Sequence, residues 1–314
     1  VLKHDLEQRA DKVKKQRILI SGASGTIGSI LVPFLRTCGH EVIRLVRDPS
    51  HLAEDELYWD PYNDILDMVK AGPIDAVINL NGVDISRGKW TKDQKQLILD
   101  SRVAPTTLLA KKMSEMASPP SIFISSSAIG LYGEGGDRVL TENETKGDSF
   151  ISSVCDQWET ASLTAKSAGI RTVQLRFGVV LTPAGGALAR MMLPFSLGFG
   201  TRLSHGGQYM SWISMDDVLA GILHILENKA IQGPVNLTAP QPVTNKEFTR
   251  SLGRVFSRPA FSVLPRWAAI GLWGDMGEET LLTSARVVPE KLLKSGFVFE
   301  HNELLPALKD MLGR

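Results

Sequence analysis

The stretch that most constrains this chain is Arg17-Ile18-Leu19-Ile20-Ser21-Gly22-Ala23-Ser24-Gly25-Thr26-Ile27-Gly28. A short apolar run with strand character meets glycines at 22, 25 and 28, and an apolar-periodic helix pattern follows. Strand, glycine turn and helix in that order build a seat for a dinucleotide pyrophosphate. Gly22 permits the tight turn, Gly25 lets the backbone approach the phosphates, and Gly28 lets the helix lie close on the strand. Ser24, Thr26 and Ile27 complete the loop. The helix start adds free N–H groups and a positive dipole end.

The rest of the chain is sized and composed to support such a fold. With 314 residues it can bury a large core, and two domains are expected. A net charge of +1 excludes a broad nucleic-acid surface, which needs clustered Lys and Arg. No apolar run is long enough to span a bilayer, and no signal-peptide pattern opens the sequence. Only Cys38 and Cys155 are present, so a disulfide scaffold is excluded and a reducing cytoplasm is expected. The six histidines show no metal-ligand spacing, and no metal site is expected.

Strand and helix patterns alternate through the first half. Strands are expected at 17–21, 41–46, 75–80, 121–125 and 172–175, with helices at 26–37, 91–102 and 150–167. Thr91-x-x-Gln94 and Thr244-x-x-Glu247 read as capping boxes. Pro105 is expected to break or kink the pattern before a further helix to Met116. This rhythm predicts an α/β chain, a Rossmann-type doubly wound parallel sheet. After Thr182-Pro183 the rhythm loosens, with helix patterns at 187–197 and 218–226 among Gly- and Pro-rich loops. The expected division is a lead-in at 1–16, a nucleotide-binding domain at 17–182, and a smaller α+β substrate domain at 183–314 that can return elements to the sheet. The mixed-charge lead-in reads equally as a solvated extension or as the tail of something upstream.

The residue ending strand two usually selects the nucleotide. Here the strand closes Arg44-Leu45-Val46-Arg47-Asp48. Arg47 lies about twenty residues past Gly28, where the selector belongs, and a guanidinium matches a 2′-phosphate in bidentate geometry. NADP(H) is therefore expected over NAD(H). Asp48 is the rival, since a carboxylate pointing inward would favour NAD(H).

The chain resembles the extended short-chain dehydrogenase/reductases, the NAD-dependent epimerase/dehydratase group. Within it the chain is similar to the uncharacterised "epimerase family" branch, sometimes labelled SulA-like. The glycine motif is common to the whole superfamily. The narrower features are Asn79-Leu80-Asn81-Gly82, Trp90 with Ser101-Arg102, Trp158-Glu159, Arg176-x-Gly178-Val179-Val180-Leu181, Trp212-Ile213 before Asp216-Asp217, and Pro289-x-x-Leu292 with Gly296-Phe297. The resemblance implies that Gly22, Gly25, Thr26 and Ile27 line the pyrophosphate and Arg47 meets the adenosine phosphate. It implies that Leu80, Asn81 and Gly82 border the adenine and ribose, that Arg102 faces the cofactor from its helix, and that Val180 approaches the nicotinamide. It further implies helix-mediated homodimers and, in longer members, a domain ahead of the dinucleotide fold.

Such reductases and epimerases use a Ser or Thr, a Tyr and a Lys. The Tyr transfers the proton, the Lys lowers its pKa and holds the nicotinamide ribose, and the Ser orients the substrate oxygen. The serine is matched by Ser127 in Ser125-Ser126-Ser127. The Tyr-x-x-x-Lys pair is absent. In its register Ile151 takes the Tyr place and Cys155 the Lys place, on one helix face. Val154, Trp158, Ala161 and Ala165 form a second, core-facing stripe. Tyr132 follows the serines and is the leading substitute proton donor, weighed against a packed loop aromatic. His205, with Gln208 and Trp212, lies in a loop that can face a substrate or be solvated. Asp216 and Asp217 read as helix N-terminal charges.

Two functions fit these residues. One is an NADP-dependent oxidoreductase, epimerase-like, with a rebuilt proton donor and a small-molecule substrate that the sequence does not name. The other is a non-catalytic NADPH-binding regulator, cell-division-inhibitor-like, acting through a protein partner.

Overall fold

A computed structural model describes residues 15–314. The lead-in expected at 1–16 lies outside the described residues except for Lys15 and Gln16. Eight strands form the main sheet: β1 (Arg17–Ser21), β2 (Glu41–Val46), β3 (Glu56–Asp60), β4 (Ile65–Leu66), β5 (Ala76–Asn79), β6 (Ile122–Ala128), β7 (Arg171–Phe177) and β8 (Gly233–Leu237). Their spatial order is β8-β7-β6-β5-β1-β2-β3-β4. Every pairing is parallel except β3 with β4. The chain runs outward from β1 to β4 and then crosses back to β5. The order therefore reverses between β1 and β5, and open α/β sheets bind ligands beyond the strand ends at such a reversal.

The sheet is buried on both faces, so its strands read as near-continuous apolar runs. Seven longer helices matter here: α1 (Gly28–Thr37), α2 (Lys92–Ser114), α3 (Phe150–Ala161), α4 (Gly186–Ser196), α5 (Met215–Glu227), α6 (Asn245–Val255) and α7 (Leu304–Met311). Ile18 and Ile20 point to the face covered by Leu31 and Leu35 of α1 and Val218 and Ile222 of α5. Leu19, between them, points to the other face, with Leu108, Leu109 and Met113 of α2. Each such side chain contributes about 1.5–3 kcal/mol by leaving water. Beyond residue 182, α4, α6 and α7 enclose a separate cluster around Trp212, Phe248 and Leu252.

Two local expectations change. Pro105 does not break its helix, because α2 runs unbroken from Lys92 to Ser114 with Pro105 inside it. Pro105 is buried there, and the next residue, Thr106, donates its hydroxyl to the Arg102 carbonyl at 2.7 Å. The helix expected at 150–167 is instead two, α3 and Leu163–Ser167, meeting at Ser162. β8, from the irregular second half, pairs in parallel with β7 in the main sheet. Of the two capping boxes, Thr244 and Glu247 close theirs in both directions, while Thr91 accepts from the Gln94 N–H at 3.2 Å. No helix among the described residues is long and apolar enough to cross a membrane.

Candidate functional site

The glycine loop sits where β1 ends beside β5. Gly22 has φ +75°, and a Cβ there would lie 2.7 Å from the Leu80 carbonyl carbon and oxygen, so turn and neighbouring strand touch directly. A Cβ on Gly28 would lie 2.2 Å from the Gly22 oxygen and 2.8 Å from Ala23 Cα. That closeness brings the start of α1 onto the loop. Gly25 differs: a Cβ there would meet only the Gly22 oxygen, at 3.3 Å. Ser24, Gly25 and Thr26 are exposed, whereas Gly28 is buried and Ile27 half-buried. The first turn of α1 carries no acidic residue, and no side chain caps it. The loop thus presents exposed backbone beside an unscreened positive helix end, a cradle that suits a phosphate group.

The flanks are ordered by side-chain hydrogen bonds. Arg47 is exposed just past β2. Asp48, its rival, accepts from the Ser50 backbone N–H at 2.9 Å and hydroxyl at 2.6 Å, which hold its carboxyl below its ordinary pKa. Its acceptor oxygen is thereby committed to its own turn. Asn79, fully buried at the end of β5, accepts from the Ser21 hydroxyl and Asn81 amide, both at 2.8 Å. It donates to Thr106 Oγ1 at 2.7 Å. Asn79 thereby ties β1, β5 and α2 together and fixes Leu80, Asn81 and Gly82 at the reversal point. Leu80 and Val180 are half-buried and packed against the main core. Arg102 forms no ion pair among the described residues. It donates to the carbonyls of Ile98 and Val83, at 3.0 and 3.1 Å.

The expected proton-transfer residues lie in a different setting. Ser127 is buried and donates to Glu159 Oε1 at 2.6 Å. Glu159 also receives two hydrogen bonds from Arg176, at 2.8 and 2.9 Å, a bidentate pair that is almost fully buried. Burial alone would lower the Arg176 pKa; the bonds to Glu159 outweigh it and hold the guanidinium charged. Arg176 also donates to the Tyr132 hydroxyl at 2.9 Å, and Tyr132 donates onward to Asn236 Oδ1 at 2.6 Å. Tyr132 is only 4% exposed, and burial pushes its pKa up to about 12. Ile151 and Cys155, the register positions of the missing pair, are buried, and burial raises the Cys155 thiol to about 12 as well. At neutral pH it is a protonated, inert thiol. Val154, Trp158 and Ala165 are buried as the stripe predicts, with Ala161 half-buried.

Several interacting residues escaped the sequence reading. Glu142 supports the network by accepting from the backbone N–H groups of Asn236 and Lys291, at 3.1 and 3.2 Å. Glu159 and Arg176 were visible only as motif letters; their pairing joins α3 to β7. His205, by contrast, is exposed and accepts from the Gly207 N–H at 2.8 Å within its own turn. Gln208 and Trp212 are buried and donate to backbone carbonyls, so these three form no common pocket wall. Asp216 and Asp217 do open α5. Asp217 is also fully buried and accepts from the backbone N–H groups of Glu300 and His301, at 2.7 and 3.1 Å. Asp216, His301 and Asp310 bring ligand-type atoms within 4.8 Å of one another. The two His301 nitrogens already meet Ser214 Oγ and Asp310 Oδ2, each at 3.0 Å, and clasp α7 to the start of α5.

A doubly wound sheet with a glycine loop at its reversal point defines a Rossmann-type dinucleotide fold. The profile described as "NAD dependent epimerase/dehydratase family" matches residues 18–237, and a domain of unknown function, DUF1731, matches 264–311. The chain belongs to the NAD dependent epimerase/dehydratase family. It is 42% identical over 291 residues to the epimerase family protein Mb2239 of Mycobacterium bovis, covering 93% of this chain and 96% of that one. The crystal structure of the human epimerase family protein SDR39U1 (isoform 2) with NADPH superposes with a TM-score of 0.86 at 31% identity, over 95% of this chain and 99% of that one. A Corynebacterium glutamicum structure described as a nucleoside-diphosphate sugar epimerase gives a TM-score of 0.81 at 30% identity. The match spans 99% of this chain but 62% of that longer one.

Proposed function

We propose that this chain binds NADP(H) across the C-terminal ends of β2, β1 and β5. The observation that carries the reading is the exposed Ser24-Gly25-Thr26 loop over the uncapped start of α1, with Arg47 at the next strand end. Gly22, Gly25, Thr26 and Ile27 would hold the pyrophosphate, while Leu80, Asn81 and Gly82 would border the adenosine side. Arg47 would pair with the 2′-phosphate. The engagement of Asp48 Oδ1 by Ser50 within its own turn supports the phosphate-bearing nucleotide, because it occupies one of the two oxygens with which that carboxylate would accept from a ribose. The similarity to a human relative solved with NADPH points the same way.

The bound nicotinamide would supply or accept a hydride, the chemistry of an epimerase-like oxidoreductase acting on a small molecule held by residues 183–314. The contacts of Ser127 and Tyr132 favour a bracing role for both. In this reading the proton exchanges with water or with the substrate's own hydroxyl, and the Tyr132 phenol takes no part. The buried, neutral Ile151 and Cys155 are what favours the second reading, a nucleotide-binding regulator. The two separate in one experiment. NADPH is incubated with a panel of aldehydes, ketones and sugar nucleotides while nicotinamide absorbance is followed, and its binding is measured in parallel. Binding with turnover supports the oxidoreductase; binding without turnover, and with affinity for a protein partner that changes on binding, supports the regulator.

A further inference from the structure

Beyond the strand ends the two halves of the chain share an apolar wall. Val83 follows Gly82 after β5, and Ala128 closes the neighbouring β6. Both belong to one packed cluster with Trp90, Leu99 of α2, and Phe150 and Ile151 of α3. Trp273 and Leu281 join the same cluster from the second half. A cavity of about 350 Å³ opens on this wall, lined by Trp90, Lys92, Lys95, Gln96, Leu99 and Phe150. That volume falls within the range of small-molecule sites. Phe150 adjoins Ile151, which takes the tyrosine place in the family register, so the cavity borders the position where a reacting group is expected.

The donors around this cavity are already engaged, with one exception. Trp90 and Phe150 meet edge to face, their ring centres 5.4 Å apart, and Trp90 Nε1 donates to the Ile85 carbonyl at 2.7 Å. The indole therefore shows a ligand only its hydrocarbon surface. The Gln96 amide donates to Asp100 Oδ1 at 2.8 Å. Lys95 Nζ pairs with Asp275 at 2.6 Å and lies 5.1 Å from the centre of the Phe150 ring. Glu279, from the second half, accepts from the Ile151 N–H at 2.9 Å. Lys92 is the exception. It is exposed, and its ammonium meets no hydrogen-bond or ion-pair partner among the described residues. Asp93, next in the turn, does not line the cavity.

Such a wall selects among ligands. A sugar brings several hydroxyls, and each would leave water without gaining a partner here. An apolar ring or chain gains by leaving water, and one anionic group can meet Lys92. We propose that the substrate is an apolar carbonyl compound with a single anionic end, its ring or chain against Trp90, Leu99 and Phe150 and its anion at Lys92. The inference deepens the oxidoreductase reading above and rests on it. In the reduction the carbonyl carbon accepts a hydride from NADPH, the C=O π bond opens, and the oxygen takes a proton from water. An alcohol, NADP⁺ and hydroxide result, so the carbonyl is reduced as the nicotinamide is oxidised.

Calorimetry on the full chain, with and without NADPH, reads the ligand class. The probes are a series of aryl and alkyl oxo acids that includes benzoylpropionate, the methyl ester of benzoylpropionate, and UDP-glucose. The oxo acids are expected to bind at least about tenfold tighter than UDP-glucose, and benzoylpropionate about three- to fivefold tighter than its ester. Lys92→Met is expected to make acid and ester equal while leaving NADPH affinity within about twofold. Nicotinamide absorbance is followed in parallel, and oxidation of NADPH by a bound oxo acid supports the assignment. UDP-glucose binding tighter than every oxo acid, an acid–ester difference that survives Lys92→Met, or a series that binds without oxidising NADPH overturns the proposal. So does a series that does not bind at all. If the variant does not fold, the ranking of the probes on the unaltered chain decides. A chain that binds the oxo acids but not NADPH instead overturns the NADP(H) reading.

Discussion

Adding one methyl group to Gly25 or to Gly28 is expected to separate binding from folding. At Gly28 the new Cβ would sit 2.2 Å from the Gly22 oxygen and 2.8 Å from Ala23 Cα, both backbone atoms that cannot swing aside. The helix must lift, loosening Leu31 and Leu35 from the sheet. Overpacking of this kind costs about 1–3 kcal/mol, and the short contact places Gly28→Ala at or above the upper end. Helix propensity returns about 1 kcal/mol. The net loss is about 2 kcal/mol, a drop in melting temperature of roughly 3 °C for a chain of this length. At Gly25 the only near atom is 3.3 Å away, a contact relieved by a few tenths of an ångström. Gly25→Ala should melt within roughly 2 °C of wild type, a change below about 1 kcal/mol. Its methyl, however, stands on the exposed side of the loop where the pyrophosphate would lie. NADPH affinity should fall at least about tenfold, equal to about 1.4 kcal/mol. Thermal melting and calorimetry on both variants read the two effects separately. If Gly25→Ala keeps wild-type affinity, or unfolds as readily as Gly28→Ala, the division of labour drawn here is wrong.

Other substitutions probe the remaining parts. Tyr132→Phe strips a partner from both Asn236 and Arg176 and should cost about 1–3 kcal/mol in a denaturant titration, with NADPH affinity unchanged; weakened binding at full stability would argue for a direct role. Arg47→Ala should weaken NADPH by about 1.5–3 kcal/mol while hardly touching NADH, and equal losses would remove Arg47 from the 2′-phosphate. Asp55, hydrogen-bonded by Arg44 and Arg36, titrates well below the ordinary carboxylate range. Its folded pKa is depressed, so its contribution is complete above about pH 4 and is lost as pH falls below that. Asp55→Asn should therefore lower stability at pH 7 yet flatten the further loss in acid, as read from urea midpoints at several pH values.

What the sequence disclosed was local. The glycine loop, the first strands and the N-cap at Thr244 depend on residues within a few positions of one another, and their spacing carries the information. Pro105 misled because propensity weighs a residue by its backbone alone, whereas here its ring is buried in a helix whose neighbours hold it in place. The brace joining Ser127, Tyr132, Glu159, Arg176 and Asn236 draws on five separate segments. Nothing in the spacing of those residues marks them as partners. A tyrosine following a serine cluster therefore looks like an acid in sequence, although its hydroxyl is enclosed. Arg102 is the converse case. The resemblance turned it toward the cofactor, but that its guanidinium is held by the Ile98 and Val83 carbonyls and the Ser101 hydroxyl is visible only once the neighbouring side chains are placed.

The most direct test of the NADP(H) seat is a crystal structure grown with NADPH. The account predicts the pyrophosphate oxygens within about 3.2 Å of backbone N–H groups in residues 25–27, with the 2′-phosphate against Arg47. Nucleotide density lying elsewhere on the chain, or an empty glycine loop at millimolar NADPH, would contradict it.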